Sequence, residues 1–169
     1  QYIEENFQDS SFRFDLAQND SGILNNLDQS NFSNYETYSS EEITKLAKLG
    51  TKNDIFIIFP KFVSFYYLFS KHQDVERKYF SAIRSLVENT EAQVWSFYGV
   101  NKITQTQNNF IDNGWHFKPQ ISNIIFKEVF ETEVDISRDK IGVLVTKENL
   151  NDYLSNLSKD ISNIVLDDS

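Results

Sequence analysis

The sequence predicts an α/β protein built on a mainly parallel sheet, and three observations carry that expectation. Ile55-Phe-Ile-Ile-Phe59 is an unbroken apolar run of strand length, the pattern of a strand covered on both faces. A helix-period stretch over 73–89 separates it from a second short strand, Val94 to Phe97, so that helix reads as a crossover between neighbouring strands. A third apolar segment, Ile141 to Val145, is followed by an amphipathic helix over 147–165. Helices alternating with strands are the order of α/β folds rather than of bundles or sandwiches. With 169 residues the chain can bury one core. The expected division is an irregular arm over 1–38 and one domain over 39–169.

Each element has its own signal. In the arm, Asn, Asp, Gln and Ser dominate from Gln18 to Asn34, a composition too polar to offset the entropy of ordering by itself. It is expected to hold at most a short helix, with Phe7, Phe12, Phe14 and Leu16 available to dock elsewhere. Ser39 followed by Glu42 makes a capping box for a helix over 40–49 that stops at Gly50. Pro60 ends the first strand because it has no N–H for a ladder. Phe62-Val-Ser-Phe-Tyr-Tyr-Leu-Phe69 then places five aromatics in eight residues. Either it begins a helix and packs as core, the preferred reading, or it lines a cleft with Tyr66 and Tyr67 as substrate contacts.

In the crossover helix Tyr79, Ala82, Ile83, Leu86 and Val87 share one face. Gly99 breaks the second strand. Pro119 suits the first turn of a helix, predicted over 118–130, where Phe117, Ile121, Ile124, Ile125 and Val129 recur at three- and four-residue steps. In the last helix, capped by Thr146, Leu150, Tyr153, Leu154, Leu157, Ile161, Ile164 and Val165 form the apolar stripe. Leu166 to Ser169 are expected to fray.

Formal net charge is −9 and no Lys and Arg cluster occurs, so nucleic acid is not an expected partner. No apolar run reaches the length of a membrane span. The absence of cysteine removes disulfide frameworks and thiolate metal sites. The chain contains no methionine and begins at Gln1; the expectation is a C-terminal part of a longer protein.

The candidate chemistry lies just before the 118–130 helix. Asp112 precedes His116, one of two histidines, by four positions. Loops at the carboxyl ends of strands are where α/β proteins place their chemistry. A carboxylate that accepts the imidazole Nδ1 proton fixes the tautomer and stabilises the imidazolium, leaving Nε2 to deprotonate a serine hydroxyl. Asn113-Gly114 allows a tight turn, so Asp112 is expected to reach the His116 ring. The alternative is a surface pair in which His116 merely caps or packs.

Trp115 and Asn101 join Tyr66 and Tyr67 as candidate substrate contacts; the polar loop 101–109 either meets hydroxyl-rich ligands or is simply solvated. His72 reads as a solvated surface histidine. The acidic stretch Glu131-Thr-Glu-Val-Asp135 has groups that can hold calcium, but its irregular alternation favours solvated surface. A metal at Asp112 and His116 is short of the three or four ligands such ions take. No metal and no cofactor is expected.

These residues resemble the closing segment of SGNH (GDSL-type) hydrolases, where an Asp-x-x-His motif on the last loop supplies the acid and base of the triad. Three further pieces resemble a bacterial cell-envelope branch of that superfamily, in the same order. They are Ile55-Phe-Ile-Ile-Phe-Pro60, Gly99-Val-Asn-Lys-Ile-Thr104 leading into Asn109-Phe-Ile-Asp112, and Gly142-Val-Leu-Val-Thr-Lys-Glu-Asn149. The resemblance covers roughly residues 40 to 160. It implies a three-layer α/β/α flavodoxin-like (SGNH-type) parallel sheet, incomplete on its N-terminal side. It also implies an esterase or O-acyltransferase acting outside the cytoplasm on an envelope polysaccharide or teichoic-type polymer. His116 is then the base and Asp112 its orienter. An N-terminal anchor and a membrane-bound O-acyltransferase partner are further implications.

Two departures stand beside it. The spacing here is Asp-x-x-x-His, which leaves open which carboxylate serves His116. The Gly-Asp-Ser block is not in its place either: Asn19-Asp-Ser21 before Gly22 reads as a turn. The nucleophile and oxyanion donors are therefore expected in a missing segment ahead of Gln1. Both departures favour the competing reading, a non-catalytic binding or assembly module on the same fold.

Overall fold

The computed structural model describes residues 13–15, 39–71, 73–111, 116–130 and 140–167. The first half comprises β1 (Arg13–Asp15), α1 (Ser40–Ala47), β2 (Ile55–Ile58), α2 (Val63–Lys71), α3 (Gln73–Asn89) and β3 (Gln93–Ser96). Then come a 3₁₀ turn (Gln107–Asn109), β4 (Phe110–Ile111), β5 (His116–Phe117), α4 (Pro119–Phe130), β6 (Val143–Val145), α5 (Leu150–Ser162) and β7 (Val165–Asp167). The fold is mixed α/β.

Local chemistry sets several boundaries. The capping box at Ser39 forms: its Oγ accepts from the Glu42 N–H at 3.2 Å, and Glu42 Oε2 accepts from the Ser39 N–H at 2.8 Å. The Ser39 N–H and hydroxyl, both donating to Glu42 Oε2 at 2.8 Å, hold that carboxyl below the usual range. Asp54 closes the turn into β2 by accepting from the Thr51 N–H and hydroxyl at 2.8 and 2.7 Å. Pro119 opens α4, whose Ile121 and Ile125 are buried as the spacing requires. The aromatic run after β2 is helix and core: Phe62, Val63, Phe65 and Tyr66 are all buried.

β2 and β3 pair in parallel, from Ile55 opposite Gln93 to Ile58 opposite Ser96, and α2 and α3 make the crossover between them. The third strand corrects the expected mainly parallel sheet. β6 joins β3 antiparallel, Ser96 opposite Val143 and Val94 opposite Val145, so the three-stranded sheet, in the order β2-β3-β6, is mixed. A parallel third strand requires the chain to return to the amino edge before entering. Here β6 is entered at the edge where β3 leaves.

The two ends of the chain also differ from expectation. β1 lies in the arm thought to hold at most a short helix, and pairs in parallel with β7, within the tail expected to fray. A three-residue strand has no period to read, and each of these two has its partner at the far end of the sequence. α5 starts at Leu150 rather than 147, because Asn149 closes a turn with Thr146 first. Its side-chain Oδ1 accepts from the Thr146 N–H at 2.8 Å and its Nδ2 donates to the Leu144 carbonyl at 2.9 Å.

One apolar cluster holds these elements together. α1 packs on α3, while α2 and α3 both meet α5. Some apolar surface stays outside it: Val143 and Leu144 on edge strand β6, Phe59, and the stacked pair Phe126 and Phe130 on α4 are exposed.

Candidate functional site

The carboxyl ends of β2 and β3 lie side by side, and the chain leaving each is tightly built. After β3 the turn 97–104 is organised by Asn101. Its Oδ1 accepts from the Ile103 and Thr104 N–H groups at 3.0 and 3.1 Å, and its Nδ2 donates to the carbonyls of Phe97 and Gly99 at 3.2 and 3.4 Å. Every polar group of that side chain is engaged within its own loop. Asn101 is therefore a loop-building residue rather than a ready ligand contact. Gly99 sits at φ 124°, where L side chains are strained, and a Cβ there would lie 3.0 Å from Leu157 Cδ1. The buried Thr104 hydroxyl donates to the Gly99 carbonyl at 2.7 Å, and its own carbonyl accepts the Val63 N–H at 2.9 Å, tying the turn to α2.

Tyr66 joins the two strand ends. It is 0% exposed, and its hydroxyl oxygen accepts the Lys61 N–H at 2.9 Å. Burial raises its pKa well above the ordinary tyrosine value. Its ring stands edge-on to Tyr98 at 4.4 Å, and Tyr98 stacks on Tyr79 at 4.4 Å. Below them Ser96 Oγ and Tyr153 Oη share a 2.7 Å hydrogen bond, and burial pushes Tyr153 up to about 12. Tyr66 is thus a buried clamp, with no exposed surface in this structure to offer the ligand that the sequence suggested for it. Tyr67, the next residue, is half-buried.

His116 belongs to the β4–β5 hairpin. Phe110 pairs with Phe117 and Ile111 with His116, and alternation sends the two pairs to opposite faces. The phenylalanines face inward: Phe117 meets Phe59 at 5.3 Å and Phe110 meets Phe62 at 5.7 Å. The other face turns outward, with Ile111 45% exposed and His116 exposed beside it. The hairpin is thereby pinned to the chain leaving β2, with an imidazole on its open side. Asp112 and Trp115 lie outside the described residues, so the expected Asp112–His116 contact does too. Ser21, His72 and the acidic run 131–135 also lie outside them. Ser64, at the start of α2, is 2% exposed, and its hydroxyl has no hydrogen-bond partner among the described residues.

A cleft of about 320 Å³ opens beyond β3. One wall is the turn 98–101, another is the chain entering β6, and the third is α5. Asp152, Asn156 and Asp160 recur at four-residue steps along α5, hence on one face, and all three line the cleft with Tyr153 and Leu157. Partial burial raises the Asp160 carboxyl above the usual range. Among the described residues that line it there is no Lys, Arg or His. Sequence reasoning drew on this helix only for its apolar stripe, in which it placed Tyr153. The signal was there in Asp152-x-x-x-Asn156-x-x-x-Asp160 beside Tyr153.

Among the described residues no group of three His, Asp or Glu side chains could hold a metal ion, and no helix is long and apolar enough to cross a membrane. No family model, curated protein or solved structure matches the chain.

Proposed function

We propose that this chain is the histidine-bearing C-terminal part of an SGNH-like esterase or O-acyltransferase that modifies an envelope polysaccharide or teichoic-type polymer outside the cytoplasm. In this reading the fold is a three-layer SGNH-type domain completed by a segment ahead of Gln1, which brings the serine, the oxyanion donors and the anchor. A membrane-bound O-acyltransferase is its further partner. One observation carries the reading: the exposed His116 stands on a hairpin pinned, through Phe117 and Phe59, to the carboxyl end of a parallel strand. A solvent-exposed base positioned at that edge is what proton transfer to and from a serine requires.

The competing reading, a non-catalytic binding module, draws on the two serines nearest the strand ends. Ser64 and Ser96 are both buried, and Ser96 is bonded to Tyr153, so neither serves as an accessible nucleophile. One experiment separates the readings. The complete gene product is treated with a fluorophosphonate probe and assayed on p-nitrophenyl acetate, as wild type and as His116→Ala. The enzyme reading expects covalent labelling and turnover, with turnover falling at least about 10⁴-fold in His116→Ala while the melting curve is unchanged. Asp112→Asn is expected to cost somewhat less, on the order of 10⁴-fold, through loss of the orienting carboxylate. Absence of labelling in the complete product, or full activity in His116→Ala, refutes it.

A further inference from the structure

We propose that the cleft between the turn 98–101 and α5 is a binding subsite for an uncharged, hydroxyl-rich chain, a neutral glycan, and that it rejects phosphate-bearing polymers. The inference rests on the envelope-polymer reading above and narrows it to one substrate class. At about 320 Å³ the cleft falls within the size range of small-ligand sites.

Its base is preformed. Tyr153 is fixed by its 2.7 Å bond to Ser96, and Leu157 is buried under Gly99, whose backbone leaves just enough room. These give an aromatic and apolar surface of the sort on which the C–H face of a sugar ring packs. The rim is polar in a selective way. Asn101 and Asn149 also line the cleft, but their amides are spent on their own turns. Asp152, Asn156 and Asp160 make no side-chain hydrogen bond to another described residue. They remain available as two acceptors and one donor–acceptor, the inventory that pairs with hydroxyl groups.

Charge and spacing then decide the class. Among the described lining residues the cleft carries two carboxylates and no cationic side chain, and although Lys159 lies close enough to Asp160 to act on its carboxyl, a phosphate entering the cleft meets like charge first. Asp152 and Asp160 stand eight residues apart, roughly 12 Å along the helix axis. They cannot converge on one point charge, as an ammonium or metal ion requires. They suit an extended ligand touched at successive positions.

The test is a two-dimensional amide NMR titration of the chain with cellohexaose, chitohexaose and mannohexaose, each to about 5 mM, a range that detects millimolar affinity. Poly(glycerol phosphate) and spermine serve as the anionic and cationic probes. The expected result is that at least one neutral hexasaccharide shifts the amides of Gly99, Val100, Asn156 and Asp160. Asn156→Ala should weaken it about tenfold through loss of a donor–acceptor pair. Poly(glycerol phosphate) should leave those amides unmoved, and begin to shift them in the Asp152→Asn/Asp160→Asn variant. Silence with all three neutral probes, shifts confined to other regions, or a stronger response to either charged probe overturns the proposal. Running the titration in His116→Ala keeps the two ideas separate. A responsive cleft with unaffected activity refutes only the catalytic reading, and an unresponsive cleft with abolished activity refutes only this one.

Discussion

Removing one oxygen from Tyr66 tests whether the carboxyl edge is held by a buried clamp. In Tyr66→Phe the ring keeps its shape, its edge-on contact with Tyr98 at 4.4 Å and its full burial. Only the hydroxyl is lost, which accepts the Lys61 N–H at 2.9 Å. A buried donor left without a partner costs about 1–3 kcal/mol. Lys61 is half-buried and recovers part of that from water. The substitution also relieves the burial of the hydroxyl itself, so the net destabilisation is about 1 kcal/mol. For a chain of this size that is roughly 2–4 °C in Tm. Urea unfolding at neutral pH should show a lower midpoint with an unchanged slope, and the Lys61 amide should exchange faster. A substrate-contact role predicts the opposite pattern, lost ligand affinity at wild-type stability. A stability change below about 0.3 kcal/mol with the Lys61 amide still protected refutes the clamp.

Three further outcomes follow from the same interior. Ser64→Ala removes a 2%-exposed hydroxyl that has no hydrogen-bond partner among the described residues, so it should be neutral or stabilise by up to about 2 kcal/mol in the same urea assay, and leave any activity intact. Gly142→Ala places a Cβ 2.6 Å from the ring of the fully buried Phe97; overpacking of that kind should cost about 1–3 kcal/mol. Alkali should unfold the protein cooperatively: Tyr66 and Tyr153 are raised above the ordinary 10.0, Tyr153 to about 12, so the native state holds protons that the unfolded chain has released. Stability is then complete below pH 10 and falls as pH rises, by up to about 1.4 kcal/mol per pH unit per tyrosine, and Tyr153→Phe should make the slope between pH 10 and about 12 shallower.

What was legible in the sequence was whatever repeats locally. The Ser39 capping box, the crossover helix over 73–89, the Pro119 start of α4 and the buried stripe of α5 all rest on contacts between residues a few positions apart. The pairing sense of β6 was hidden, because a three-residue apolar strand reads identically in either direction. So was the β1–β7 pair, whose members are some 150 residues apart in sequence. At the candidate site the sequence singled out polar and aromatic types, and burial decided among them. Tyr66 and Asn101 have the chemistry of ligand contacts, yet the fold spends that chemistry internally. His116 differs: its place in a two-residue strand beside Phe117 assigns it to the outward face.

The reversal of β6 is what makes the cleft. Because β6 runs against β3, its amino end at Val143 lies opposite Ser96, and the residues entering it stand beside the turn leaving β3. Ser96 then serves both sides, pairing with β6 through its backbone and bonding Tyr153 of α5 through its hydroxyl. Glu128 secures the remaining wall: its Oε1 accepts from the Ile141 and Gly142 N–H groups at 2.9 and 2.7 Å. Glu128 belongs to α4, which starts two residues after the His116–Phe117 strand. One helix therefore leads from the hairpin that presents the imidazole to the chain that shapes the cleft, and both lie at the carboxyl ends of adjacent strands. The cleft along α5 and the imidazole on the hairpin share that edge of the sheet. This is why the position of the third strand, rather than its sequence, governs what the site can reach.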